Sequence, residues 1–455
     1  MAGSRQVRAN YRELYKNLIQ AYYNSHFEES FQKMLEEDFE DLDEAKQILS
    51  TLCGVDLVAT SHTNFIQGLV DAITQNNVKE KIVQKVRNCV RDCESIEGKS
   101  KCQSVCPFDA IIKISGEDDK WIDESLCMSC GRCIAVCDKG NYLETPQFLP
   151  LAHLLKQEEQ VIAIVAPAIA GQFGKEVTLD QLREALIQVG FKDMIEVAMA
   201  ADVLSIKEAL EFDAHVQKAG DFMITSCCCP MWVAALRKVY HKLVPDVSPS
   251  VSPMIAMARI IKALNKDTKV VFIGPCIAKK AEAKEKDLVG DVDYVLTFEE
   301  LQIIFDALDS NPENCSGLPS IDYASTGGRL YARTGGVSQA VWDIVDQLYP
   351  KKRVLFSAVQ VDGMKDCKTM LEDLEHGKVK ASFIEGMGCK GGCVGGPKAI
   401  IDAVSGKEAV NAVAYDSAIK IPVHSQVLKE LLKQIGIPNI EALKENHSMF
   451  ERSFK

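Results

Sequence analysis

Thiols far apart in the chain set the strongest constraint on how this sequence can fold. Three adjacent cysteines stand in Thr225-Ser226-Cys227-Cys228-Cys229-Pro230-Met231-Trp232. Cys276 stands in Gly-Pro-Cys-Ile-Ala-Lys-Lys-Ala-Glu, and Cys389 and Cys393 in Glu-Gly-Met-Gly-Cys-Lys-Gly-Gly-Cys-Val-Gly-Gly-Pro. An apolar stretch, Asp221 to Ile224, leads into the first run, and a helical pattern from Val233 to Tyr240 leads away from it. That places the thiols on a strand-to-helix turn, where backbone N–H groups and the helix dipole favour thiolates. Four thiolates drawn from these segments would hold an iron–sulfur cluster deep inside one lobe.

Where cysteine is this abundant, the compartment decides its meaning. The first residues, Met1-Ala-Gly-Ser-Arg, carry neither a hydrophobic signal region nor a twin-arginine signal. No apolar run reaches the roughly 20 residues that a spanning helix needs. The expected location is the cytoplasm, where 17 cysteines point to metal rather than disulfides. A net charge of −12 argues against nucleic acid or an anionic membrane as partner. With 455 residues, there is room for several domains.

Residues 1–85 read as a helical segment. Tyr11 to Ile19, Phe31 to Phe39 and Phe65 to Ile73 carry apolar i, i+3, i+4 spacing. The acidic stretch Glu36 to Glu44 reads as a solvated face, and Cys53 and His62 as packing or surface residues. Residues 86–146 differ sharply. Cys89, Cys93, Cys102 and Cys106-Pro107 precede Cys127-x2-Cys130-x2-Cys133-x3-Cys137. The second run has the spacing that wraps a 4Fe–4S cube, and the first is a stretched copy of it. A pair of zinc knuckles is the competing reading. From 147 to 455 short apolar runs (Val161–Ala166, Phe222–Thr225, Lys269–Gly274) alternate with helical patterns at Leu179–Val189, Trp232–Tyr240 and Met254–Leu264. The expected fold class is α/β, with parallel strands under covering helices. The glycine pairs 327–328, 335–336, 391–392 and 395–396 would let backbone approach a cluster, or serve surface turns. Residues from about 410 onward read as a polar helical tail.

The eight cysteines of 86–146 together resemble a two-cluster bacterial ferredoxin. That likeness implies crossed pairing: Cys89, Cys93, Cys102 and Cys137 for one cube, Cys127, Cys130, Cys133 and Cys106 for the other. The three later motifs, in order behind this module, resemble the iron–iron hydrogenases, and the three-cysteine first motif resembles members outside the best-known group. The resemblance covers residues from about 86 to 400. It implies an H-domain of two lobes and an H-cluster: a 4Fe–4S cube joined to a diiron unit that carries CO, cyanide and an azadithiolate. Matched from Pro230 backwards, Cys229, Cys276, Cys389 and Cys393 would ligate the cube, with Cys393 bridging to the diiron unit. Cys228 would be the proton-shuttling thiol and Cys227 an additional cysteine. Lys279 would donate to a cyanide ligand; Glu282 and Glu385 lie beside these elements, and Pro167, Ala168, Ser252 and Met387 line the pocket.

The same register places Glu208, Glu211 and Ser248 on the family's proton relay. Read without the family, Glu208 and Glu211 are simply three apart on a helix. Several residues depart from the pattern. Gly274 replaces a methionine that usually contacts the diiron unit, leaving space or mobility there. Together with Cys227, it would loosen the loop carrying Cys228. Ala168 replaces a frequent serine, His215 takes the arginine position at the outer end of the path, and the third motif is a glycine short. Cys315 and Cys367 match no motif and read as structural thiols. The expected activity is 2H⁺ + 2e⁻ ⇌ H₂, with two 4Fe–4S clusters passing electrons to a soluble carrier such as a ferredoxin, in an anaerobic setting with diiron-unit maturation proteins. An iron–sulfur assembly factor without the diiron unit, or a hydrogen sensor, are the alternatives; Cys228 with Lys279 favours the enzyme.

Overall fold

The computed structural model describes residues 2–57, 64–89, 93, 95–96, 98–113, 119–157, 159–225, 228–320, 323–445 and 447–454. His62 and Cys227 therefore lie outside the described residues. The chain forms two compact units: Met1–Glu159 with Gln188–Gly190 and Glu299–Asn314, and Gln160–Ile187 with Phe191–Phe298 and Cys315–Lys455.

In the first unit, helices Ala2–Tyr23, Phe27–Glu37, Leu42–Cys53 and Phe65–Thr74 bury one apolar stripe each. Asp41 caps the third by accepting from the Asp43 and Glu44 N–H groups, which satisfies donors a helix start leaves free. The acidic stretch around it is exposed. Cys53 is fully buried. Behind these helices, Val83–Lys85 pairs antiparallel with Tyr142–Glu144, and the hairpin Ile111–Lys113 with Lys120–Ile122 flanks two short helices, Lys101–Val105 and Arg132–Val136.

The second unit is mixed α/β, rich in helix. Four parallel strands run in the order Tyr294–Thr297, Lys269–Gly274, Val161–Val165, Asp193–Glu196. A second parallel sheet orders Ala358–Asp362, Phe383–Met387 and Met223–Ile224. The central strands Val161–Val165 and Lys269–Gly274 are almost wholly apolar and buried, as strands covered on both faces are, whereas Asp193–Glu196 and Ala358–Asp362 carry polar residues and are only partly buried. Helix Ala198–His215 is the exception to amphipathic patterning: it is buried almost all round, yet carries Asp202, Ser205, Lys207 and Glu208 inside. Each of these must find a partner there.

The segment beyond residue 410 departs from the expected polar tail. Helices Ala403–Asp416 and Gln426–Gln434 bury Val410, Leu428 and Leu432. The chain then docks Phe450–Arg452 in extended form on residues 249–251, with Val251 N–H bonded to Phe450 O and Arg452 N–H to Pro249 O, both at 2.9 Å. Apolar residues one helical turn apart, Val410 with Ala414 and Leu428 with Leu432, pull these helices onto the core.

Candidate metal and proton-relay sites

The two short helices of the first unit build the same sulfur turn twice. Cys106 and Cys137 end their helices in extended backbone, at φ −76°, ψ 111° and φ −76°, ψ 103°. Three residues later Asp109 (φ 51°) and Gly140 (φ 68°) turn left-handed. The chain thereby swings back, so that Ala110 N–H reaches Cys106 Sγ at 3.2 Å and Asn141 N–H reaches Cys137 Sγ at 3.3 Å. Ser129 N–H lies 3.4 Å from Cys127 Sγ, and the Asn141 side-chain amide 3.3 Å from Cys89 Sγ. Donors aimed at sulfur stabilise thiolate or a metal–thiolate bond. Cys133 is pushed up by burial and by its neighbours Cys130, Cys127 and Cys106. Cys93 is pushed up by burial, then by Cys102, Cys137 and Cys89, against the Lys120 ammonium. Cys102, Cys133 and Tyr142 share one small core.

In the second unit the thiols come from the carboxyl ends of parallel strands, where α/β sheets place ligand sites. Cys276 follows Lys269–Gly274, Cys389 and Cys393 follow Phe383–Met387, and Cys229 caps helix Pro230–Lys238 just past Met223–Ile224. Burial pushes the Cys276 thiol up to about 12, helped by Cys229 and Cys393 and opposed by Lys279. Cys393 is pushed up to about 12 by burial and by Cys229. A metal bound by crowded thiols of this kind displaces their protons. Gly388 N–H donates to Cys229 Sγ at 3.2 Å, and a Cβ on Gly388 would stand 2.7 Å from Met231 Cβ. Glycine is therefore required for that approach. Gly392 (φ 91°) and Gly336 likewise press on backbone rather than forming surface turns. Among the described residues, no three His, Cys, Asp or Glu side chains converge on a single-ion site.

An apolar cavity adjoins these thiols, walled by Pro167, Ala168, Cys228, Phe272, Lys279 and Cys393 among others. Cys228 is half-buried, its Sγ 3.6 Å from Met387 Sδ. Lys279 pairs with Glu282 at 2.7 Å, both almost fully buried. Burial pulls that ammonium down, but Glu282, Cys276 and Cys393 outweigh it and leave it raised. Glu385 accepts from Gly335 N–H, Ser338 N–H and Ser338 Oγ at 2.7, 2.8 and 2.6 Å, which ties the 333–338 turn to the strand. The Ser252 hydroxyl is buried with no hydrogen-bond partner among the described residues. Ser252 stands next to Pro253 of the cavity wall but is not among the residues that line it, so the buried Lys279 ammonium beside Cys276 and Cys393 is what fits a polar metal group.

Gly274 does not open space. A Cβ there would meet the Phe272 ring at 2.6 and 2.7 Å, because residues two apart on a strand share a face. The ring fills the volume the glycine vacates. This corrects the expectation of a loosened wall.

The relay residues form two hydrogen-bonded pairs. Thr225 Oγ1 donates to the Glu208 carboxylate, 2.8 and 2.9 Å from its oxygens. Ser248 Oγ donates to Glu211 Oε2 at 2.7 Å. Glu211, His215, Asp246 and Ser248 line an outer cavity of about 310 Å³, room for several waters. His215 lies 3.3 Å from Asp246. Thr225 opens the first motif but has no role in the sequence reading; nor do Lys207 and Glu451, which also reach Glu211's surroundings. Nothing in their spacing signals it. Cys367 is fully buried and donates to Met387 O at 3.3 Å.

The family model described as "Iron only hydrogenase large subunit, C-terminal domain" matches residues 159–397. The chain belongs to that family. It is similar to the NADP-reducing hydrogenase subunit HndD of Solidesulfovibrio fructosivorans, 27% identical over 68% of this chain and 60% of the relative; it thus spans less than two thirds of that relative's length. Iron hydrogenase 1 of Clostridium pasteurianum is 28% identical, over 75% of this chain and 79% of its own. The nuclear prelamin A recognition factor of Xenopus laevis matches at 22% over 69% and 83%. Among solved structures, a variant of [FeFe]-hydrogenase HydA1 from Chlamydomonas reinhardtii shares the fold, with a TM-score of 0.54, 22% identity, and 64% of this chain and 93% of that one covered.

Proposed function

We propose that this chain is an iron–iron hydrogenase with a three-cysteine first motif, catalysing 2H⁺ + 2e⁻ ⇌ H₂. On this reading residues 147–455 form the catalytic domain, and residues 86–146 a ferredoxin-like domain with two 4Fe–4S clusters that serves a soluble carrier in the cytoplasm. Residues 1–85 are an N-terminal helical segment that packs with residues 86–146 in one compact unit. The observation that carries the reading is Cys228 and Lys279 on the wall of one apolar cavity, with Cys393 beside them.

Cys229, Cys276, Cys389 and Cys393 would hold the cube of an H-cluster. When bound, that group supplies the open iron at which hydrogen is made or split. The chain's own residues manage protons and water. Cys228 takes up or gives a proton at Sγ at the cavity wall. Glu208, held by Thr225, is the inner carboxylate, and Glu211, held by Ser248, the outer one. Short hops between such groups carry protons across a dry shell. Lys279, fixed by Glu282, offers a charge-assisted donor that a neutral residue would not replace. The apolar wall excludes bulk water.

A second reading, an iron–sulfur assembly factor, has support from relatives such as the cytosolic Fe-S cluster assembly factor NAR1 of Yarrowia lipolytica, 24% identical over 45% of this chain. Infrared spectroscopy of anaerobically matured protein separates the two. Bands of CO and cyanide on iron are expected for the enzyme; full iron–sulfur content with none of those bands would establish the assembly factor.

A further inference from the structure

Lys207 is 1% exposed and lies inside helix Ala198–His215. An ammonium buried this deeply costs several kcal/mol of desolvation unless its protons are matched. Here they are matched three ways. Nζ pairs with Glu211 Oε1 one turn along the helix, lies 3.0 Å from Glu451 Oε1, and donates to Ser250 Oγ at 3.4 Å. The other Glu211 oxygen accepts from Ser248, whose hydroxyl also stands 3.0 Å from Ser250 Oγ.

Glu451 reaches this spot only because the Phe450–Arg452 segment is pinned. Its backbone bonds to residues 249–251, and Arg452, 3% exposed at its side chain, pairs with Glu285 and Asp287. The same stretch that holds Glu451 against Lys207 therefore also borders Ser248. Lys207 and Glu451 lie 244 residues apart but act on one carboxylate.

We propose that Lys207 and Glu451 are positioning residues of the outer proton relay: the clamped ammonium holds one Glu211 oxygen so that the other faces Ser248 and the outer cavity. This rests on the hydrogenase reading. Neither residue touches the reacting atoms. Without the clamp, Glu211 turns freely toward the cavity water, and the Ser248 contact is made only part of the time.

The test has two readouts on the full chain. Reductive methylation followed by mass spectrometry reports the clamp without any cluster chemistry. Lys207 is expected to react at least about tenfold more slowly than exposed Lys33, and Glu451→Gln to remove most of that protection. In matured protein, Lys207→Met and Glu451→Gln are expected to lower turnover about tenfold. The KM for the electron donor and the CO and cyanide bands should stay as in the unchanged chain, and Lys207→Arg should recover part of the rate. Glu451→Gln keeps the test open should Lys207→Met fold poorly. Methylation of Lys207 as fast as Lys33 would overturn the clamp. A protected Lys207 with turnover within twofold in both variants would overturn its role in the relay. Absence of CO and cyanide bands in the unchanged chain would sink the hydrogenase reading itself, and the relay role with it.

Discussion

Two regions of this molecule gather cysteines in opposite ways. In residues 86–146 the thiols come from adjacent turns, and each short helix brings its own sulfur turn with donors built in. In the second unit they come from three segments far apart in the chain: Cys229 and the pair Cys389 and Cys393 follow two neighbouring parallel strands of one sheet, and Cys276 follows a strand of the other. A local site tolerates damage to its surroundings but contains its own loss. A site assembled by topology is dry, deep and vulnerable at every strand that feeds it.

The largest expected effect follows directly. Cys229→Ala should abolish the CO and cyanide bands and all turnover, whereas Cys137→Ala should remove about four irons and leave those bands in place. Iron analysis with infrared spectroscopy reads both. Loss of the bands in Cys137→Ala would show that the two regions assemble as one. Next comes Cys228→Ala, expected to lower turnover about 10²–10⁴-fold with bands nearly intact, since only the proton hop is lost. Reversed phenotypes for Cys228 and Cys229 would mean the register through Pro230 is wrong by one residue.

Thr225→Val tests the inner pair. It removes the donor that fixes Glu208 while keeping shape, and turnover should fall about tenfold, with a larger solvent isotope effect. Unchanged kinetics would restrict Thr225 to packing. The smallest effect concerns the cavity wall. Gly274→Met should cost about 1–3 kcal/mol by overpacking against Phe272, seen as a lower thermal midpoint, and Phe272→Ala in the same chain should restore most of it. A destabilisation unchanged in the double variant would mean that the ring does not fill the space.

The comparison also explains what could be read from residues alone. Strands Val161–Val165 and Lys269–Gly274 and helix Leu179–Val189 stand where apolar runs and 3.6-residue spacing put them. The cysteines of 86–146 announce themselves by spacing because their neighbours are local. Cys276 and Cys389 mean little apart, and only the ordered motifs tied them together. The Lys207–Glu451 contact left no mark at all. A helix buried almost all round shows no polar face to betray which polar residues point inward, and the partner stands 244 residues further along the chain. Phe272 behind Gly274 is hidden for a simpler reason: a missing side chain leaves space only if no neighbour on the same face of the strand fills it.

Trp232 sits three residues past Cys229. Its indole N–H donates to Thr225 O at 2.8 Å, and its ring lies so close to Gly386 that a Cβ there would fall 2.3 Å from it. The motif is thus latched at its first and last residues and clamped to the strand that delivers Met387, Cys389 and Cys393. The ordering cost of a binding loop is met during folding rather than at capture. A metal group that binds here would meet a motif whose two ends are already fixed, so that its arrival need not be timed to folding.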